Sequence, residues 1–161
     1  DATVRKEEYI RLVNNLTLES IEMNGGHILA KHLDQTDRNL IYRCTKDNKK
    51  LATSFLFSKE EVLEMIKDAL LDEEYMTPES IIEWLDDDSD GGDFYAVKEY
   101  DHVVGKGYFR AAWHAWDKGP AMCHSINVVL RKVERKADTT FKIVTAYPCV
   151  TENDVIATKN M

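Results

Sequence analysis

Residues 25–44, GGHILAKHLDQTDRNLIYRC, bring two histidines and two arginines into one short run. An imidazole, with an unperturbed pKa of about 6.5, takes or gives a proton near neutrality, and a guanidinium matches the oxygens of a phosphate. At about 100° per residue, Ile28, Leu29, His32 and Leu33 share one face of a short helix. That face turns His32 inward and leaves His27 off it, beside Lys31. On a following helix Leu40, Ile41 and Cys44 make the apolar stripe with Arg43 at its edge, so the arginine stem can be buried while its head reaches a cleft. Arg38 faces elsewhere. Each residue has a plainer alternative: a core histidine satisfied by one hydrogen bond, and an arginine snorkelling to water. Zinc fits less well, because a spacing of five separates the His27 and His32 rings by roughly 140° around a helix.

At the far end, FKIVTAYP alternates Phe141, Ile143, Thr145 and Tyr147 onto one strand face and Lys142, Val144 and Ala146 onto the other. Pro148 is expected to end the pairing, placing two hydroxyls near a strand end, where a core face can open into a cleft. Thr and Tyr are also common in sheets for packing alone. Taken together, however, a histidine, an arginine, a threonine and a tyrosine are an odd set to bury for stability. They suit RNA cleavage by transesterification, in which the 2′-hydroxyl attacks its own phosphate and a highly charged phosphorane must be stabilised. That chemistry requires no metal or other cofactor, and it spares DNA, which lacks the attacking hydroxyl. GYFRAAWHAW could stack bases, or Trp113 and Trp116 could simply pack. Arg131 and Lys132, in LRKVERK, could bind RNA phosphate or form the solvated end of a strand.

These residues need a scaffold. A length of 161 residues with 43% hydrophobic content is enough to close one compact core, so residues 1–161 are expected to form a single domain. The pattern predicts helices over Val4–Val13, from Gly26 to Leu33, from a Thr36 cap to Arg43, over Lys59–Leu71 behind a Ser58/Glu61 capping box, and from Thr77-Pro78 onward. LATSFLF, DFYAVKEY, GKGYFRAAW, SINVVLRKV and FKIVTAYP read as strands. N-terminal helices followed by strands imply an α+β fold with a largely antiparallel sheet.

Three cysteines, Cys44, Cys123 and Cys149, with no CxxC pair, indicate neither a disulfide framework nor a cysteine zinc site. No apolar run approaches the roughly 18 residues of a membrane span, so stable membrane insertion is not expected. The start lacks a signal-peptide profile, and Asp1 suggests a trimmed chain or the tail of a longer polypeptide. A net charge of -8 argues against nucleic-acid binding through overall charge, yet the charge is uneven, with residues 60–93 acidic and 98–142 basic. The acidic WLDDDSDGGD run keeps open a non-enzymatic interaction or immunity-type module. A metal-dependent nuclease is the enzyme rival, although no compact His/Asp pattern at ligand spacing supports it.

GGHILAKH, the Leu40-x-x-Arg43 ending and the terminal TAYP resemble the RNase A-like toxin domain at the C-terminus of CdiA-type contact-dependent inhibition proteins. The likeness is clearest over residues 25–44 and 143–148, with a weaker match in SFLFSKEEVLEMI and SINVVLRK. The resemblance implies an RNase A-like α+β fold without disulfides. It implies His32 as the catalytic histidine, Arg43 as the phosphate-stabilising arginine, Thr145 and Tyr147 as partners from the last strand, and His27 as the histidine of the family's GGH motif. It further implies secretion within a larger exoprotein, delivery to the cytoplasm of a neighbouring bacterium, an RNA substrate, and a cognate immunity protein. An acidic partner on the basic strand region is the favoured electrostatic fit. The second proton-transfer group is left among His27, Tyr147 and a histidine of the Trp-rich segment, residues 107–122. That segment and the acidic residues 83–93 lie outside the resemblance.

Overall fold

The computed structural model describes residues 2–23, 31–134 and 139–149. In chain order the helices are α1 (Ala2–Asn14), α2 (Leu18–Met23), α3 (Asp37–Thr45), α4 (Lys59–Leu70) and α5 (Thr77–Asp86). The strands are β1 (Leu51–Phe55), β2 (Phe94–Glu99), β3 (Gly105–Phe109), β4 (Ala121–Cys123), β5 (Ser125–Glu134) and β6 (Thr139–Cys149), with a 3₁₀ segment, Arg110–Lys118, after β3. Two antiparallel three-stranded sheets, ordered β1-β3-β4 and β2-β5-β6, make this an α+β fold, as the sequence pattern implies. Cys44, Cys123 and Cys149 are free thiols. Among the described residues no helix is long and apolar enough to cross a membrane.

The chain packs as two compact units. The first draws on Asp1–His27, Lys59–Lys98 and Val128–Ala146. In it α4 buries Val62, Ile66, Ala69 and Leu70, which recur at the four-, seven- and eight-residue intervals of one helix face. Tyr9 of α1 donates its hydroxyl to the Leu70 carbonyl at 2.6 Å and sets its ring against Phe141. Met76 enters α5 with a left-handed φ of 54°, and Pro78 lies in the first turn, where its missing N–H costs nothing.

The second unit draws on Ile28–Ser58, Glu99–Asn127 and Tyr147–Met161. Leu40 and Cys44 of α3 pack on Ala52 of β1 and Tyr108 of β3, with Ile41 and Trp116 at the margin. Thr36 caps α3 by accepting the Asn39 N–H at 3.1 Å, and Lys106 of β3 holds Asp37 in its first turn at 2.7 Å. β1 pairs with β3 over Leu51↔Phe109 to Phe55↔Gly105.

Two local expectations need correction. GKGYFRAAW is not one strand: it stops at Phe109, and the following nine residues coil into the 3₁₀ segment, kinked at Ala112. There Trp116 stacks edge-on to Tyr108 and donates to the Phe109 carbonyl, a contact that an extended chain could not make, while Trp113 stays 68% exposed. Pro148 does not end β6, which runs to Cys149. β6 is an edge strand, where a residue without an N–H is tolerated. The helix expected from Gly26 lies mostly outside the described residues, of which Lys31 and His32 are helical.

Candidate active site

His32 is 9% exposed, on a helical turn that lies beside β1. Leu33 forms a parallel bridge with Phe55, and Asp34 takes a left-handed φ of 54° to redirect the chain toward α3. Ser54 accepts from the Gln35 N–H at 3.2 Å and donates to the His32 carbonyl at 3.4 Å, fastening the turn to the strand. Because β1 is the edge of its sheet, its outer main-chain oxygens are open to other partners. The Thr53 carbonyl takes His32 Nδ1 at 3.2 Å. A carbonyl only accepts, so Nδ1 carries the proton and Nε2 is left with its lone pair.

Burial lowers the His32 pKa from 6.5 to about 4; the Thr53 carbonyl opposes the shift, and the positive charges of Arg43 and Lys31 add to it. At neutral pH the ring is therefore an uncharged base. Arg43, half-buried on α3, donates Nη1 to the Lys31 carbonyl at 2.8 Å, one residue before the histidine. Its other N–H groups remain donors for an anion.

Tyr147 closes the group from β6. Its ring centroid lies 5.6 Å from that of His32, tilted by 35°, and its hydroxyl oxygen accepts from Asn127 Nδ2 at 3.1 Å. The following Pro148 rests on Gly105: a Cβ there would come within 2.4 Å of the proline Cβ and 2.8 Å of the Ser54 carbonyl. Gly105 thus lets the end of β6 reach the strands that hold His32. Ser125 adds a hydrogen bond to the Cys149 carbonyl at 3.4 Å.

The structure brings together His32, Arg43 and Tyr147 of the expected set. Thr145 belongs to the first unit, half-buried on β6 two residues before Tyr147. Along that strand Phe141 and Ile143 are buried, Thr145 and Tyr147 are half-exposed, and burial passes to Ala146 and Pro148. His27 lies outside the described residues. Of the three remaining histidines, His102 pairs with Asp101, His114 meets Trp113 edge-on, and His124 accepts the Tyr100 N–H with its carbonyl.

Arg131 and Lys132 face the acidic run. Arg131 grips both carboxylate oxygens of Asp93 at 3.0 Å and holds that carboxyl below its ordinary range. Lys132 donates to the Asp87 and Asp90 carbonyls at 2.7 and 2.5 Å, with its ammonium 5.4 Å above the Trp84 ring. An RNA phosphate would have to displace these partners. Sequence reasoning missed the Thr53 carbonyl, Asn127 and Gly105; the only trace was the small residue in GKG. Among the described residues no group of three or more His, Cys, Asp or Glu side chains is arranged to hold a metal ion.

No curated protein matches the chain significantly. A chain in the crystal structure of the CdiA-CT/CdiI complex from Y. kristensenii 33638 shares the fold at 17% identity and a TM-score of 0.61, over 78% of this chain and 100% of that one. The profile of the bacterial CdiA-CT RNAse A domain matches residues 26–148. This span holds the buried imidazole, the guanidinium beside it and the tyrosine against it, and on that match the chain belongs to the bacterial CdiA-CT RNase A domain family.

Proposed function

We propose that residues 1–161 act as a single ribonuclease toxin domain that cleaves RNA without a metal. The two units are interleaved in sequence, with β5 and β6 contributing to both, which supports a single functional domain. The observation that carries the reading is a neutral His32 with Nε2 left as an acceptor, next to Arg43 and Tyr147. In the first step Nε2 takes the proton of the 2′-hydroxyl as its oxygen attacks phosphorus, forming a 2′,3′-cyclic phosphate as the 5′-oxygen leaves. Arg43 and Thr145 donate to the phosphorane, and Tyr147 orients the phosphate. A bound phosphodiester supplies the negative charge that raises the His32 pKa toward neutrality, so the imidazolium persists long enough to return its proton. The group that protonates the leaving oxygen is one of His27, Tyr147 and a histidine of the Trp-rich segment.

Family membership supports a place at the C-terminus of a secreted CdiA exoprotein, delivery into a target bacterium, and neutralisation by an immunity protein. With Arg131 and Lys132 engaged by the acidic run, Arg43 and Lys31 are cations among the described residues that an acidic inhibitor would meet by the site. The test incubates the purified chain with cellular RNA, DNA and 2′-O-methyl RNA in excess chelator. Cleavage of unmodified RNA alone, to cyclic-phosphate ends, is expected, and His32→Ala is expected to abolish it. Intact RNA at catalytic enzyme levels, or activity lost on chelation, would sink the metal-free mechanism.

A further inference from the structure

Tyr147 has one hydroxyl hydrogen and two lone pairs, and its hydrogen-bond partner dictates which of them faces a substrate. Asn127 Nδ2 donates to that oxygen at 3.1 Å. The amide is held by its strand: Ile126 and Val128, on either side of it in β5, are fully buried, which fixes the backbone and leaves the half-buried Asn127 on the opposite face. Since Asn127 fills a lone pair, the phenol's own hydrogen cannot point toward it and must turn away. A donor to the phenol oxygen also polarises the O–H and makes it a stronger donor in turn. The ring itself lies against His32, with the two centroids 5.6 Å apart.

We propose that Asn127 is a positioning residue for catalysis: its amide N–H fixes the Tyr147 hydroxyl as a donor to the scissile phosphate. The inference rests on the ribonuclease reading above and assigns Asn127 no contact with substrate.

Asn127→Asp tests it, because the carboxylate has the same shape and at neutral pH only accepts. It captures the Tyr147 hydrogen and reverses the bond. kcat is expected to fall roughly 100-fold, the scale of losing one transition-state donor, with KM little changed. Tyr147→Phe is expected to fall equally, and the double variant no further. The acid side of the Asn127→Asp pH profile is expected to recover activity as the carboxyl gains a proton and donates again. A merely structural role would not produce that limb.

Asn127→Leu removes the donor without adding charge and is expected to lower kcat about tenfold, a loss of the scale of one hydrogen bond to a reacting group. If Asn127→Asp does not fold, this variant and the tyrosine Raman doublet of the parent carry the test. The doublet ratio, taken as parent minus Tyr147→Phe, reports whether the phenol accepts, and it does so without RNA. A parent that shows an accepting phenol but no RNA cleavage leaves Asn127 placed as described and removes the ribonuclease reading. Wild-type kcat in Asn127→Leu, or a double variant well below Tyr147→Phe alone, overturns the proposal.

Discussion

Holding His32 neutral makes folding stability depend on pH in a calculable way. The histidine titrates at 6.5 when exposed and at about 4 when folded, so between these values the unfolded chain binds a proton that the native chain refuses. Stability from this group is complete above pH 6.5 and falls as the pH drops toward 4. Two-state linkage gives a loss of roughly 2 kcal/mol between about pH 7.5 and about pH 5, and about 3 kcal/mol in the limit. Carboxylates also titrate at the acid end, so the measurement is a difference. Urea unfolding of the parent and of His32→Asn, whose side-chain amide can still donate to the Thr53 carbonyl, is followed at both pH values. The variant is less stable throughout, but its stability is expected to change about 2 kcal/mol less than that of the parent over the interval. Coincident pH dependences would refute a buried neutral imidazole and, with it, the argument that His32 begins the cycle as a base.

Three further outcomes follow from the packing. Thr53→Val, at a buried residue whose hydroxyl has no hydrogen-bond partner among the described residues, is expected to raise stability by about 1 kcal/mol and keep wild-type cleavage, read by thermal melting and RNA turnover. Gly105→Ala forces a methyl against Pro148 and the Ser54 carbonyl; a stability loss of about 1–3 kcal/mol is expected, with a larger fall in kcat than in global fold content by circular dichroism. Arg43→Lys keeps the charge but not the planar fork, and kcat is expected to stay within tenfold of Arg43→Ala rather than of the parent. Near-complete rescue by lysine would show that only charge matters there.

Much of the scaffold was legible because local chemistry and packing agree. Thr36 caps α3 as expected, Leu40 and Cys44 face the core, and His32 turns inward. The strand FKIVTAYP carries its hydroxyl residues at the point where its apolar face opens, as alternation implies. Other features were hidden for physical reasons. GKGYFRAAW reads as one strand, but Trp116 gains its partners Tyr108 and the Phe109 carbonyl only when the chain coils after Phe109. Arg131 and Lys132 looked free because Asp93 and the Asp87 and Asp90 carbonyls lie some forty positions away in sequence, and no local pattern reports such a pairing. Family resemblance named the tyrosine but not the amide behind it.

The oxygen that selects the His32 tautomer belongs to the main chain of an edge strand, not to an acidic side chain. Every residue type at position 53 brings the same carbonyl, so substitution there leaves the proton's location on the ring intact provided the strand keeps its path. Robustness against point mutation is thereby traded for sensitivity to fraying: loosening β1 from β3 would silence the imidazole.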